Sequence, residues 1–284
     1  MNNLDPRLNA YRADLADLRL EGQVDAERFV VGASARITVP VVSLHREPDH
    51  QSGVDTQALF GDEVIVFERE RGWAWIQSGF DGYVGYVDET SLAMAQQNPT
   101  HMVTVPRTFV YPHAELKSPN LMALSMGSAL TVTGFEEVRG TQYAALATGG
   151  HVISRHIRPA GEISPDYVAI CETLVGTPYL WGGTSAFGLD CSGLVQLAMR
   201  MCGQKVPRDT DMQAAEPGWK FDPDDGLKRG DLVFWQGHVA VLRDQENIIH
   251  ASGYTMLTSF ELLAEAIERI GYLYGQPTGY RRPR

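Results

Sequence analysis

The sequence predicts an α+β protein in which two small β-barrels precede a domain of helices and an antiparallel sheet. Two observations support the barrels: a sequence pattern recurs after 66 residues, and short alternating apolar runs lie between glycine-containing turns. In residues 161–284, two amphipathic helical patterns come before several strand patterns. That order is typical of an α+β domain.

The first 34 residues predict a short helix that packs on the barrels. Apolar residues recur there at helical spacing, and charged and small residues follow them. The apolar positions are Leu4, Leu8, Tyr11, Leu15 and Leu18. We therefore assign residues 1–34 to an N-terminal helical segment.

The recurring pattern places the two barrels. Thr38-Val39-Pro40 recurs as Thr104-Val105-Pro106, and Gly61 recurs as Gly127. Each copy continues with an alternating apolar run, an Arg-Gly turn and an aromatic strand. A period this long indicates two separate small domains rather than stacked repeats. The predicted barrels are residues 35–97 and residues 98–160.

The last domain is predicted over residues 161–284. Ser164-Pro165-Asp166 has the features of a helix start: an N-cap residue, a proline in the first turn and an acidic side chain. This helix ends at Gly176, and a second helix runs from Cys191 to Gly203. The strand patterns that follow cover residues 231–235, 238–242, 248–252 and 278–281.

Composition restricts the partners and the compartment. The 24 basic and 35 acidic residues give a net charge of −11, which argues against nucleic acid and anionic membranes as partners. No run reaches the roughly 18 apolar residues of a membrane span, and the N-terminal residues have no apolar signal core. Three cysteines do not form a disulfide framework. We expect a monomeric cytoplasmic protein, with export by another route left open.

Cys191 is the candidate nucleophile, because it lies where a glycine-rich loop opens a helix. Unpaired N–H groups and the positive end of the helix dipole favour a thiolate there. His238 and His250 lie on strand patterns downstream, so a thiol, a base and a group that orients the base are all present. Cys171 and Cys202 lie on apolar helical faces and are expected in the core. One cysteine and two histidines without a fourth ligand do not predict a metal site, and no cofactor is expected.

Six short motifs follow one another along the last 120 or so residues. They are Thr177-Pro178-Tyr179-Leu180-Trp181-Gly182-Gly183, Asp190-Cys191-Ser192-Gly193, Pro207-Arg208-Asp209, Gly230-Asp231-Leu232-Val233-Phe234, Gly237-His238-Val239-Ala240 and His250-Ala251. These motifs resemble those of the NlpC-type cysteine peptidases, which cut bacterial cell-wall peptides. Any one of them is a weak signal, but their order along the chain makes the resemblance specific. From Gly79-Phe80-Asp81-Gly82-Tyr83-Val84-Gly85-Tyr86-Val87, the first barrel resembles a bacterial SH3-like domain, and the second barrel resembles one too.

The resemblance implies a papain-like fold and a role for each catalytic residue. Cys191 would attack the substrate, His238 would act as general base, and His250 would orient His238 from the neighbouring antiparallel strand. The backbone N–H of Cys191 and the hydroxyl of Tyr179 would hold the oxyanion.

The resemblance also implies a set of substrate-binding residues. From the residues alone Asp190 is a helix cap, but in the family this position holds the α-ammonium group of an N-terminal L-Ala. Ser192, Arg208 and Thr210 match positions on the D-Glu side, and Trp181 belongs to the same glycine-rich loop as Tyr179. From the first barrel, Tyr83 and Glu47 resemble residues that close the cleft and add to amine recognition.

The predicted function is that of a γ-D-glutamyl-L-diamino acid endopeptidase. Its substrates would be murein peptides such as L-Ala-γ-D-Glu-L-diaminopimelate, released during cell-wall recycling. Two alternatives stay open at this point. One is a wall-binding protein whose SH3-like modules attach an inert hydrolase domain. The other is a general peptidoglycan hydrolase, amidase or acyltransferase anchored by the same modules.

Overall fold

The computed structural model describes residues 4–94, 97–222 and 226–283. The chain divides into two compact units, Met1–Glu162 and Ile163–Arg284. The first unit contains the N-terminal segment and both barrels, and the second contains the helices and the antiparallel sheet. No helix among the described residues is long and apolar enough to cross a membrane.

The helix predicted for the N-terminal segment is wrong for residues 4–34, and Met1–Asn3 lie outside the described residues. The segment forms two short parallel strands, β1 (Ala16–Asp17) and β2 (Phe29–Val30), with a 3₁₀ turn at Leu18–Leu20. Carboxylates that accept hydrogen bonds from the backbone two residues later, as Asp17 does, favour such turns over a helix. The packing on a barrel does occur, because Leu15 is buried with aromatic residues of the first barrel.

The first barrel is an antiparallel sheet of seven strands in the order β5-β4-β8-β7-β6-β3-β9. Its β6–β7 hairpin turns at Arg71-Gly72, where both residues have positive φ, as the predicted Arg-Gly turn requires. Alternate residues such as Val64, Val66 and Ile76 fill the core. The strands are β3 (Ala33–Ile37), β4 (Val41–His45), β5 (Val54–Leu59), β6 (Glu63–Glu70), β7 (Trp73–Ser78), β8 (Val84–Asp88) and β9 (Leu92–Met94).

The second barrel repeats this plan in smaller sheets, with its own hairpin turn at Arg139-Gly140. It meets the first barrel at Gly61, where a Cβ atom would lie 2.0 Å from the carbonyl oxygen of Ala129. The recurring glycine therefore allows a close backbone approach. The strands are β10 (His101–Val103), β11 (Arg107–Val110), β12 (Met122–Ser125), β13 (Ala129–Leu130), β14 (Val132–Val138), β15 (Thr141–Leu146), β16 (His151–Ile153) and β17 (Ile157–Pro159).

The second unit packs helices against a five-stranded antiparallel sheet of order β23-β22-β21-β20-β24. Helix α2 packs against β21 and β22, which places its N-terminus near both candidate histidines. The helices are α1 (Tyr167–Thr173), α2 (Cys191–Met201), α3 (Thr210–Ala215) and α4 (Leu263–Tyr274). The strands are β18 (Thr184–Ser185), β19 (Gly188–Leu189), β20 (Leu232–Trp235), β21 (His238–Leu242), β22 (Asn247–Ser252), β23 (Leu257–Leu262) and β24 (Gly279–Arg281).

Local details of this unit differ from the sequence expectations. Helix α1 begins two residues later than predicted, with Asp166 rather than Ser164 as the N-cap that accepts from the Val168 N–H. Strand β23 and helices α3 and α4 were not predicted. Cys171 is buried as expected, and Cys202 is partly buried.

Candidate active site

Asp190 fixes the start of helix α2 to the preceding loop. Its Oδ1 accepts from the N–H of Gly193 at 2.7 Å, which is N-cap geometry. Its Oδ2 accepts from the N–H of Gly182 at 2.9 Å, so one carboxylate joins the loop to the helix. The helix therefore opens at Cys191, directly after the cap.

Two glycines allow this loop to lie against the helix. A Cβ atom on Gly193 would lie 2.1 Å from the carbonyl oxygen of Gly183, and one on Gly183 would lie 2.5 Å from that of Gly188. Both neighbours are backbone atoms, which cannot move aside as a flexible side chain would. Close backbone packing therefore explains why glycine stands at Gly183 in the Trp-Gly-Gly motif and at Gly193 in the Asp-Cys-Ser-Gly motif.

Substitution of Gly193 by alanine should displace the loop from helix α2. We expect the unfolding free energy to fall by about 1–3 kcal/mol through overpacking. A displacement of about 1 Å at the thiol should lower kcat/KM by about a hundredfold. Urea unfolding and initial rates measure both effects. Gly218→Ala is the control, because a Cβ atom there meets nothing within 4 Å. Equal behaviour of the two variants would contradict the packing argument.

The thiol of Cys191 is buried beside the backbone on both sides of His238. Its Sγ lies 3.9 Å from the carbonyl oxygen of Gly237, and the backbone N–H of Val239 donates to it. The hydroxyl of Thr210, at the start of α3, lies 3.8 Å from Sγ. The thiol makes no hydrogen bond to the His238 ring among the described contacts. Such catalytic hydrogen bonds often tighten only when substrate binds.

His238 and His250 are joined directly. His238 Nε2 lies 2.9 Å from His250 Nδ1, and the ring centroids are 5.1 Å apart. The register that pairs Val241 with Ile249 places both rings on one face of the β21–β22 pair. Because Nε2 of His238 is engaged with His250, its Nδ1 is the nitrogen left to accept the thiol proton.

Burial keeps the thiol and the imidazole neutral in the resting site. It raises the pKa of Cys191 to about 11, an effect strengthened by the Asp190 carboxylate. It lowers the pKa of His238 to about 3. This burial opposes the thiolate that is expected at the helix N-terminus. The Val239 N–H, Thr210 and Arg208 favour the thiolate, but desolvation outweighs them. The thiol proton must then leave during attack.

Three predicted substrate-binding residues bind one another. Arg208 is 1% exposed and donates to Asp190 through two nitrogens, at 3.0 and 2.5 Å. It also donates to Ser192 Oγ at 2.8 Å, and Ser192 Oγ lies 3.3 Å from Asp190 Oδ1. With the two backbone N–H groups, five donors converge on a carboxylate that has about four lone-pair positions. This arrangement favours the helix-cap role of Asp190, and its predicted contact with an ammonium group stays a prediction.

Tyr179 lies near the thiol on the loop before α2. Burial, followed by the charges of Cys191 and Asp190, raises its pKa to about 12, so its hydroxyl stays a hydrogen-bond donor. This is what a predicted oxyanion donor requires. Trp181, on the same loop, has 71% of its surface exposed. Its predicted contact with substrate stays a prediction.

Comparison with known proteins gives two domain matches. Residues 176–267 match the NlpC/P60 family, and residues 44–92 match the bacterial dipeptidyl-peptidase SH3 domain. The chain contains an NlpC/P60 cysteine peptidase domain. The predicted resemblance and the predicted class of enzyme are confirmed, and all six motifs lie within the residues that match the NlpC/P60 family.

Relatives of similar length support the same conclusion. Dipeptidyl-peptidase 6 of Lysinibacillus sphaericus is 27% identical over 239 residues, which cover 77% of this chain and 88% of that protein. A γ-D-glutamyl-L-lysine dipeptidyl-peptidase of Bacillus cereus is 28% identical over 229 residues, covering 70% and 67% of the two chains. The crystal structure of an NlpC/P60 family protein from Bacillus cereus has a TM-score of 0.74 at 23% identity and covers 88% of this chain and 99% of that one. This likeness confirms the predicted α+β, papain-like fold.

The two predicted residues of the first barrel belong to the other compact unit. Glu47 is exposed and follows β4, whereas Tyr83 is buried and precedes β8. The bridge between His45 and Tyr86 pairs these strands, so both residues lie at the same end of the pair. Their roles at the NlpC/P60 site stay predictions.

Sequence reasoning missed the carboxylate behind the two histidines of the NlpC/P60 domain. His250 Nε2 lies 3.0 Å from Glu261 Oε2. Glu261 belongs to β23, a strand that was not predicted from the sequence. The available signal was an acidic residue among the apolar residues of Leu257–Leu262. Within the described residues, no group of three or more His, Cys, Asp or Glu side chains is arranged to hold a metal.

Proposed function

We propose that this protein hydrolyses the bond between γ-D-Glu and an L-diamino acid in murein peptides that have a free N-terminal L-Ala. The observation that carries the proposal is the position of the Cys191 thiol against the backbone around His238, whose ring contacts His250. The names of the relatives support the bond that is cut, since both are dipeptidyl-peptidases and one acts at γ-D-glutamyl-L-lysine.

The reaction uses a neutral thiol and a neutral imidazole. Cys191 Sγ attacks the γ-carbonyl carbon of D-Glu while His238 takes the thiol proton. The N–H of Cys191 and the Tyr179 hydroxyl stabilise the oxyanion. The carbon–nitrogen bond then breaks, and His238 returns the proton to the leaving amine of the diamino acid. Water attacks the thioester with His238 as base, which releases L-Ala-D-Glu and restores the thiol.

The experiment that tests this function is digestion of L-Ala-γ-D-Glu-L-diaminopimelate and its lysine counterpart, with the fragments identified by mass. We expect L-Ala-D-Glu and the free diamino acid. Cleavage between L-Ala and D-Glu, or no cleavage of either peptide, would contradict the proposal. Intact sacculi serve as the second substrate. Release of fragments from sacculi at a rate similar to that of the tripeptide would instead indicate a general wall hydrolase.

Activity should persist at mildly acidic pH because His238 takes up its proton only near pH 3. The protonated imidazole cannot act as a base, so kcat/KM falls as pH drops through the pKa of His238. An imidazole with the ordinary pKa of about 6.5 would lose about 25-fold in its neutral fraction between pH 7 and pH 5. We expect less than a threefold loss over that range, measured as kcat/KM from pH 4 to pH 8. An acid limb with its midpoint near 6.5 would contradict the buried, neutral His238.

Acetylation of the substrate amine should strongly reduce cleavage. Loss of a desolvated ammonium–carboxylate pair costs about 2–5 kcal/mol, which corresponds to at least a 30-fold lower kcat/KM. Equal rates on both peptides with the wild type would remove the free amine from the proposal.

We also propose that the protein acts in the cytoplasm, in the recycling of released murein peptides. The net charge of −11 suits small soluble peptides better than an anionic wall polymer. A reducing compartment also keeps the Cys191 thiol in its active form.

A further inference from the structure

The carboxylate of Glu261 contacts the ring nitrogen of His250 that is not paired with His238. His250 Nε2 is 3.0 Å from Glu261 Oε2, with the side chain of His250 0% exposed and that of Glu261 16% exposed. This nitrogen is buried and forms no hydrogen bond to any other group among the described residues. Glu261 is therefore the acceptor available to this nitrogen.

Glu261 is held in place from its other side. Arg269 on helix α4 donates to Oε1 at 2.9 Å and to Oε2 at 2.6 Å, a bidentate pair that fixes the plane of the carboxylate. Burial raises the pKa of Glu261, but the hydrogen bonds from His250 and Arg269 outweigh it and bring the pKa to about 2. The group is an anion at working pH.

An anion at this position selects one tautomer of each histidine. With the proton of His250 on Nδ1, a bare Nε2 lone pair would face the carboxylate, which is repulsive. With the proton on Nε2, His250 donates to Glu261 and presents Nδ1 as an acceptor. His238 Nε2, 2.9 Å away, must then carry a proton. Nδ1 of His238 is left without a proton, as a base for the thiol requires.

We propose that Glu261 is a positioning residue of the catalytic site, which sets the tautomers of His250 and His238 through the chain Glu261–His250–His238. The proposal rests on hydrolysis at Cys191. Glu261 touches neither substrate nor thiol in this account, and it acts only by deciding which ring nitrogen carries the proton. Arg269 supports it by orienting the carboxylate.

Glu261→Leu tests the proposal, because leucine removes the acceptor at a position that is open enough to accept it. Ring protonation is read without substrate from long-range ¹⁵N–¹H spectra of the labelled enzyme, with His250 assigned through a His250→Gln variant. In the wild type we expect His250 to be protonated on Nε2. In Glu261→Leu we expect a mixture in which protonation on Nδ1 becomes substantial. An unchanged tautomer, or a wild-type His250 protonated on Nδ1, would overturn the proposal.

Kinetics supply the second measurement. The wrong tautomer disables the base without altering substrate contacts, so kcat should fall by about a hundredfold with KM within twofold. Glu261→Gln keeps an acceptor oxygen and should fall less. Glu265→Gln, an exposed glutamate on α4, removes the same charge and should match the wild type. A rise in KM that accounts for the loss would overturn the positioning role. Failure of the wild type to cleave the tripeptide would count against the proposed function, whereas the tautomer measurement would still decide the role of Glu261.

Discussion

Replacement of Cys191 by alanine is expected to abolish hydrolysis and leave the fold intact. The thiol forms the covalent bond to the substrate carbonyl, so its loss should lower kcat by at least about ten thousandfold. The Sγ atom contacts Thr210 and Gly237 only weakly, at 3.8 and 3.9 Å, so stability should change little. Initial rates by mass spectrometry and thermal melts measure both.

The other two cysteines provide the controls for this experiment. Cys171 is buried in helix α1, and burial raises its pKa well above the ordinary value, which makes it inert at neutral pH. Cys171→Ala should cost about 1–3 kcal/mol of stability and retain activity at a temperature where the protein is folded. Cys202→Ala should retain activity too. Activity above a trace in Cys191→Ala would exclude that residue as the nucleophile.

Replacement of Arg208 by methionine should destabilise the catalytic domain by about 3–5 kcal/mol. The guanidinium is almost wholly buried and is paired with Asp190, so its removal leaves an uncompensated charge at the start of helix α2. The loop containing Gly182 and the helix cap both depend on that carboxylate. Urea unfolding of this variant and of the wild type gives the two free energies of unfolding.

Two further variants distinguish the effect of the unpaired buried charge from the effect of the lost side-chain volume. Arg229 pairs with Asp166 and Glu172 but is 39% exposed, so Arg229→Met should cost less than about 1 kcal/mol. Asp190→Asn combined with Arg208→Met removes the stranded charge and keeps a capping side chain, so it should recover part of the loss. A cost for Arg208→Met no greater than that for Arg229→Met would show that the buried pair does not hold the loop.

The sequence predicted correctly those element boundaries that depend on neighbouring residues. The strand His238–Leu242 has the predicted bounds, and α2 begins at the predicted Cys191 because Asp190 caps it and the neighbouring glycines admit the loop. Of the series Glu261–His250–His238, the sequence predicted only the contact between the two histidines, because adjacent antiparallel strands bring their rings together.

Properties that depend on distant packing were not predictable in the same way. The apolar spacing of the N-terminal segment suggested a helix, but of the spaced residues Leu15 is buried against the first barrel whereas Leu18 is 42% exposed. The thiol pKa depends on burial under β21 and α3, which no local motif reports. Glu261 reaches His250 because β23 pairs with β22, a contact that an unrecognised strand conceals.

The most direct test of covalent catalysis by Cys191 is to trap the acyl-enzyme. The enzyme is mixed with L-Ala-γ-D-Glu-L-diaminopimelate, quenched with acid during the first turnovers, digested and examined by peptide mass spectrometry. We expect an L-Ala-γ-D-Glu acyl group on the peptide that contains Cys191, lost again as the reaction proceeds, and absent from Cys191→Ala. An acyl group on Cys171 or Cys202, or one derived from L-Ala alone, would contradict this expectation.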